Sequence, residues 1–202
     1  TFVVRSFYIP SGSMENTLQI NDKILVNELQ PSVFGLSRGD VVVFRDPGGW
    51  LPPSPPVARN PLAQAADTAL TFVGLSASDS DDHLVKRIIG LPGDHVVCCN
   101  TAGRILVNGT PIVEPYIQIP PGQKDAATLA FDVTVPAGRL WVMGDNRYNS
   151  QDSSRNQALP GHGFVPLDHV VGRAVVISWP VGRWTWLDDY PEAFRDVKEN
   201  RQ

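Results

Sequence analysis

The run "HLVKRIIGLPGDHVVCC", residues 83–99, decides the fold class. Two stretches rich in Val and Ile flank "LPGD", a Pro-Gly turn signal. The same grammar recurs outward in both directions: "DKILVNEL" (22–29), "DVVVFR" (40–45), "GRILVNG" (103–109), "GRLWVMG" (138–144) and "VVGRAVVISW" (170–179). The turn signals "SRGD", "NGTP", "VPAG" and "GDN" separate them, and Asn108-Gly109 reads as a hairpin turn. The pattern predicts a mostly β fold, its antiparallel sheets coiled into a partly closed barrel-like core. Internal repeats are absent.

The chain has 202 residues, enough for one well-cored domain with a sizeable insertion. Its 17 basic and 21 acidic residues give a net charge of −4, and no basic block or nucleic-acid motif occurs. No run of about 18 apolar residues is present, so this stretch of chain does not span a membrane as a helix. The opening "TFVV" (1–4) reads equally as the trailing edge of an upstream apolar segment or as an ordinary first strand.

One segment departs from the strand pattern. Residues 46–82 begin "DPGGWLPPSPPVARNP", too rich in Pro and Gly for regular structure. In the following "LAQAADTALTFVGL" (62–75), Leu62, Ala65, Ala66, Ala69, Leu70 and Val73 form one apolar stripe at helical spacing. The segment is expected to be an inserted loop carrying a short amphipathic helix. Its polar face lacks the Lys and Arg of most membrane-surface helices. The organisation expected is one catalytic region over 1–202, with a small β cap at 98–138 and a C-terminal tail at 181–202.

Cys98 and Cys99 are adjacent on an expected strand, where neighbouring side chains point to opposite faces. A bond between them needs a distorted peptide, so one buried and one exposed thiol is the expectation. No metal site is expected.

Three clusters carry candidate chemistry. The first is "YIPSGSM" (8–14), with two serines around Gly12. A serine hydroxyl is a weak nucleophile that needs a base within reach. The surroundings match neither the nucleophile elbow of α/β-hydrolases nor the S-x-x-K pattern, since Asn16 stands three residues after Ser13. The second cluster holds Lys86 among Val85, Ile88 and Ile89. If Lys86 faces inward, burial disfavours its charged form and makes it a usable base. If it faces outward, Arg87 is the tuned residue. Histidines 83, 95, 162 and 169 are the other candidate bases. The third cluster, "MGDNRYNSQDSSR" (143–155), places Asp145, Asn146, Arg147, Ser150, Asp152 and Arg155 in one polar loop.

Taken in order, "PSGSM", "DKILVNE", "RGDVVVF", "KRIIGLPGD" and "MGDNRYNSQDS" resemble the blocks of the bacterial type I signal peptidases. The insertion and "WPVGRW" (179–184) look like the actinobacterial branch. The resemblance implies a membrane-associated serine endopeptidase that removes signal peptides after an A-x-A-like site without a cofactor. It implies Ser13 as nucleophile and Lys86 as general base, with the Ser11 hydroxyl and the Ser13 N–H as oxyanion hole. Ser150 is implied to hydrogen-bond and orient the lysine, while Gly12, Asp145, Asn146, Arg147, Asp152 and Arg155 support the site. Family members usually read S-x-D-S-R; one extra residue here bears on an Asp152–Arg155 pairing. Ile9, Pro10, Met14, Leu18 and Val85 are implied to line the pocket for the residue before the cut. Phe7, Ile24 and Val43 are implied to shape the pocket two residues further upstream. The substrate is expected to add as a strand between the edges near Ile9 and Leu84. Expected partners are preprotein signal peptides, the lipid bilayer surface and the secretion translocon, with the catalytic region on the extracytoplasmic side of the cell membrane. Nucleic acid is not expected. The alternatives are a self-cleaving repressor-type Ser-Lys protease, a non-catalytic β peptide-binding module, and a Ser-His hydrolase using His83 or His95.

Overall fold

The computed structural model describes residues 4–29, 35–51 and 82–199. In chain order its strands are β1 (Val4–Tyr8), β2 (Lys23–Asn27), β3 (Val41–Arg45), β4 (His83–Gly90), β5 (His95–Cys98) and β6 (Leu106–Val107). There follow β7 (Thr110–Pro111), β8 (Phe131–Thr134), β9 (Arg139–Met143), β10 (Val165–Pro166), β11 (Val170–Trp179) and β12 (Thr185–Trp186). Eight form one antiparallel sheet in the order β1-β2-β11-β3-β4-β9-β10, with β12 added to β11. The other four form a smaller sheet in the order β7-β6-β5-β8. The mostly β, antiparallel expectation holds; the larger ladder runs from β1 to β10 without closing on itself.

The uninterrupted "VVVF" of β3 is explained by burial on both faces. Val41 and Val43 enter a cluster with Phe7, Ile9, Met14, Leu18, Ile24 and Val26. Val42 and Phe44 enter another with Trp50, Leu84, Ile88, Leu140 and Val142. The small sheet closes a third cluster around Trp141, whose ring lies 5.0 Å from that of Phe131 and 5.4 Å from that of Phe164. Asn108 and Gly109 both take positive φ, 52° and 78°, and join β6 to β7 as the hairpin signal predicted.

The structure adds three local details, one of which changes an expectation. The small sheet begins at His95, three residues before the expected start of the cap. Cys98 and Cys99 are bonded to each other across a cis peptide, with Cα atoms 3.0 Å apart, in place of two free thiols. Within 181–199, β12 pairs with β11, and Phe194 and Val197 are buried in the Trp141 cluster. Apolar side chains in that segment supply the docking energy. The helix expected over 62–75 lies outside the described residues, as do Phe2 and Val3 of the opening run.

A buried ion pair fastens β4 to the loop that follows its neighbour β9. Arg87 on β4 and Asp145, just after β9, are both fully buried. Arg87 Nε and Nη2 donate to the Asp145 carboxylate at 2.9 and 2.8 Å, a bidentate geometry. Its Nη1 donates to the carbonyls of Gly39 and Asp188 at 2.7 and 2.9 Å, and its guanidinium stacks 4.1 Å from the centre of the Tyr116 ring. One side chain thus joins β4, the β9 loop and the C-terminal segment. Arg87→Met or Asp145→Asn should each cost roughly 3–5 kcal/mol, because each strands a buried charge or its partner groups. Denaturant unfolding checks this, and a double replacement by apolar residues should recover part of the loss.

Candidate active site

The chain leaves β1 through Ile9 and Pro10, then turns in a 3-10 segment, Gly12–Met14. The turn is anchored from below. Met14 and Leu18 are buried, and the Leu18 N–H donates to the Met14 carbonyl at 2.8 Å. It is clamped from above by Asn146, whose backbone N–H donates to the Ser13 carbonyl and whose Nδ2 donates to the Gly12 carbonyl, both at 3.1 Å. Gly12 does not take a left-handed conformation; its service is space. A Cβ there would come within 2.8 Å of the Glu15 carboxyl group, whose oxygen accepts from Asn146. Ser13 thereby stands half-exposed on a fixed turn, with the exposed Ser11 Oγ 3.4 Å from Ser13 Oγ.

Lys86 lies across from Val42 in the β3–β4 ladder, and alternation along β4 puts Leu84 and Ile88 on its face. The side chain is only 3 % exposed. Its Nζ lies 2.8 Å from Ser13 Oγ and donates to the Val85 carbonyl at 2.9 Å. Burial pulls its pKa down to about 8, against the carboxylates of Asp152 and Asp145, which pull it up. The inward reading of Lys86 is therefore the one the fold adopts, and Arg87 is buried on the other face.

The polar loop brings most of its predicted residues together. Asp145 holds Arg87 and also accepts from the Thr17 hydroxyl at 2.5 Å. Arg147 Nη1 donates to Glu114 at 3.0 Å and to the Ala126 carbonyl at 2.8 Å, and its Nε to the Gly144 carbonyl at 3.1 Å. Tyr116 donates to the same Glu114 at 2.9 Å. Asp152 is buried and accepts from the Gly144 N–H at 3.0 Å and the Ser154 hydroxyl at 2.7 Å. The extra residue in "SQDSSR" changes the partner: Ser154 caps Asp152, and Arg155 turns outward to donate to the Tyr148 carbonyl at 3.1 Å. An Asp152–Arg155 pair is not formed. Nor does Ser150 hydrogen-bond Lys86; its hydroxyl is buried without a partner. It borders the same part of the cleft as Lys86 and packs over Gly144. A Cβ at Gly144 would meet Ser150 Oγ at 2.3 Å and the Ser13 carbonyl at 2.5 Å, so only glycine lets loop and turn approach this closely.

The cleft continues on both sides of the Ser13–Lys86 pair. One side is an apolar pocket of about 210 Å³ whose lining includes Phe7, Ile9, Pro10, Met14, Leu84 and Val85. Leu18, Ile24 and Val43 do not line it. They are fully buried in the cluster beneath, because their side chains project to the core side of the turn and strands, and they support the pocket without reaching its surface. Tyr8, Leu51 and His83, which are not among the expected pocket residues, line it as well. The other side, about 290 Å³, is bordered by Tyr148, Asn149, Ser150, Gln151 and Arg155. Of the histidines only His83 borders the cleft; its ring lies 5.5 Å from that of Phe7. His95 pairs with Asp132 on the small sheet. Among the described residues, no group of three or more His, Cys, Asp or Glu side chains is arranged to hold a metal ion, and no helix is long and apolar enough to cross a membrane.

Residues 1–179 match the family described as signal peptidase, peptidase S26. The chain is 38 % identical to signal peptidase I of Mycobacterium tuberculosis over 91 % of its own length and 68 % of that protein's. It is 37 % identical to the probable signal peptidase I of Mycobacterium leprae, covering 91 % of this chain and 71 % of that one. To the probable signal peptidase I-2 of a Synechocystis strain it is 38 % identical, covering 95 % and 71 %. On this extent of similarity, the chain belongs to the signal peptidase family, peptidase S26.

Proposed function

We propose that this chain removes signal peptides from preproteins with Ser13 as nucleophile and neutral Lys86 as general base. The observation that carries the reading is the 2.8 Å separation of Lys86 Nζ from Ser13 Oγ in a site where the amine is shielded from water. With the amine neutral, the Ser13 O–H donates to Nζ along that same line. As the proton moves to Lys86, Ser13 Oγ bonds to the carbonyl carbon of the scissile peptide. The oxygen that becomes negative takes hydrogen bonds from the Ser11 hydroxyl and the Ser13 N–H. Collapse of the tetrahedral adduct breaks the C–N bond, and the lysine proton goes to the departing amine, the new N-terminus of the mature protein. Water then gives a proton to Lys86 and its hydroxide to the acyl carbon, and the signal peptide leaves as a carboxylic acid while Ser13 regains its proton.

Substrate choice follows from the apolar pocket. Its walls of Ile9, Met14, Leu84 and Val85 are aliphatic and accept a small apolar side chain beside the scissile bond. β1 ends the larger sheet and, among the described residues, His83–Lys86 of β4 have no partner on the β9 side, so the substrate backbone can add there as a strand, the β-augmentation mode. Asn146, Asp145, Arg147, Asp152 and Gly12 act by holding the turn and the loop; Ser150 Oγ, buried beside the cleft, makes no hydrogen bond to the amine.

We further place the lipid bilayer surface among its partners, with the catalytic region on the extracytoplasmic side. Support comes from the segment 179–186, where Trp179, Val181, Trp184 and Trp186 are 54, 70, 56 and 67 % exposed. Indole rings at that density on a surface match the headgroup region of a bilayer, which accommodates an apolar ring with a polar N–H. Arg183, between them, is fixed to the buried Asp22 carboxylate at 2.9 and 3.0 Å and holds the segment in place.

Ser13→Ala and Lys86→Met should each abolish cleavage of a preprotein bearing an Ala-x-Ala site. The wild-type rate should rise with pH through about 8 and level off above it, since the reactive form is the neutral amine. Cleavage by the Lys86→Met protein, or a limb near pH 6.5, would assign the base to a histidine. The fold disfavours the charged lysine, so its cost is fully present below pH 8 and disappears as pH approaches 10.5. Lys86→Met should therefore be more stable than wild type at pH 7, by about 1–3 kcal/mol, in thermal or urea unfolding. For the bilayer contact, a Trp184→Ser, Trp186→Ser double variant should bind phospholipid vesicles several-fold more weakly in a sedimentation assay while its activity on a short soluble peptide stays unchanged; equal vesicle binding by variant and wild type would remove the lipid surface from the account.

A further inference from the structure

Leu51 belongs to no motif of the catalytic machinery, yet it borders the cleft on both sides of the dyad. It lines the pocket formed by Ile9, Met14 and Val85, and also the one bordered by Tyr148 and Ser150. The two pockets share Ser11, Ser13, Leu51, Leu84 and Lys86, so Leu51 sits where the cleft passes over the reacting groups. It comes from the first residues of the Pro-rich insertion, and that stem is firmly built. The Asp46 carboxylate accepts from the N–H groups of Gly48, Trp50 and Leu51 at 2.8, 3.1 and 3.0 Å. Gly48 and Gly49 supply the positive φ values, 132° and 79°, that bend the backbone around it. Trp50 is buried and packs edge-on against Phe44, ring centres 5.8 Å apart. A stem anchored by three backbone hydrogen bonds and a buried indole ends on a half-buried leucine that packs against the Trp50 and Leu84 cluster and lines the cleft on both sides of the dyad.

We infer that Leu51 is a positioning and specificity residue of the protease site, an apolar wall lent by the insertion that keeps water from Lys86 and narrows the pocket beside the scissile bond. This rests on the protease reading above. The chemistry is that of a hydrophobic cover: an aliphatic side chain beside an amine removes hydration that the ammonium form needs more than the amine does. The same side chain fills volume that a substrate residue larger than alanine would occupy. The charged and titratable groups facing Lys86 or bordering the cleft are Asp145, Asp152, Tyr148 and Arg155 from the polar loop, Tyr8 from β1 and His83 from β4. None of them is altered by a change at Leu51.

The test compares the full chain as wild type, Leu51→Ser and Leu51→Met on two soluble peptides. One carries an Ala-x-Ala site and the other has Val in place of the Ala next to the cut. Leu51→Ser should move the rising limb of the pH–rate profile upward by about half to one pH unit. Since about one lysine in ten is neutral at pH 7 when the midpoint is near 8, that shift slows cleavage at pH 7 by roughly three- to tenfold, and raising the pH restores it. The preference for Ala over Val should fall several-fold in the same variant, and Leu51→Met should keep the wild-type limb and preference. A Leu51→Ser protein with both unchanged, or one slowed equally at every pH, overturns the inference while an active wild type leaves the protease reading standing. A wild type that cleaves neither peptide nor a preprotein overturns both.

Discussion

The structure turns on a lysine amine kept dry against a serine hydroxyl. Lys86 and Arg87 are neighbours on β4, so their side chains leave the strand on opposite faces and meet opposite treatment. Arg87 is given a bidentate carboxylate, two carbonyls and an aromatic face, and stays charged in full burial. Lys86 receives a hydroxyl and one carbonyl, and among the described residues no carboxylate lies within ion-pair distance of its nitrogen. Burial without a partner lowers an amine's pKa, whereas burial with one holds the charge. A single strand thus sets one base and one structural cation in consecutive positions.

Nucleophile and base come from segments 73 residues apart, and a third segment holds them in register. The loop after β9 does so through successive residues. Gly144 makes room between Ser13 and Ser150, Asp145 takes the guanidinium from the strand that carries Lys86, and Asn146 takes the two carbonyls of the turn that carries Ser13. Arg147 then ties the loop to Glu114, which lies beside the small sheet. The loop can do all this because Asp145, Asn146, Arg147 and Asp152 each find partners in the surrounding structure; a loop with those groups unmet would not hold one geometry.

Much of the fold was legible in the sequence, because Val- and Ile-rich runs between Gly, Pro and Asn turns encode strands locally. The Asn108-Gly109 hairpin is the clearest instance. The dyad was legible through its motif blocks, whereas pattern alone left Lys86 free to face either way. What escaped reading depends on contacts between distant residues. Nothing near Arg87 announces Asp145, 58 positions later, and nothing near Glu114 announces Arg147. Leu18, Ile24 and Val43 share the composition of a pocket wall and of a core, and only their depth beneath the turn separates the two. The docking of Phe194 and Val197 and the place of Leu51 in the cleft follow equally from tertiary packing.

The most direct measurement is the titration of Lys86 itself, followed through the chemical shift of its ε-carbon in protein carrying carbon-13 lysine, with the signal assigned by its loss in Lys86→Met. A midpoint near 8 is what the dry amine beside Ser13 requires. A midpoint at about 10 or above, the range of a solvated lysine, would contradict the account.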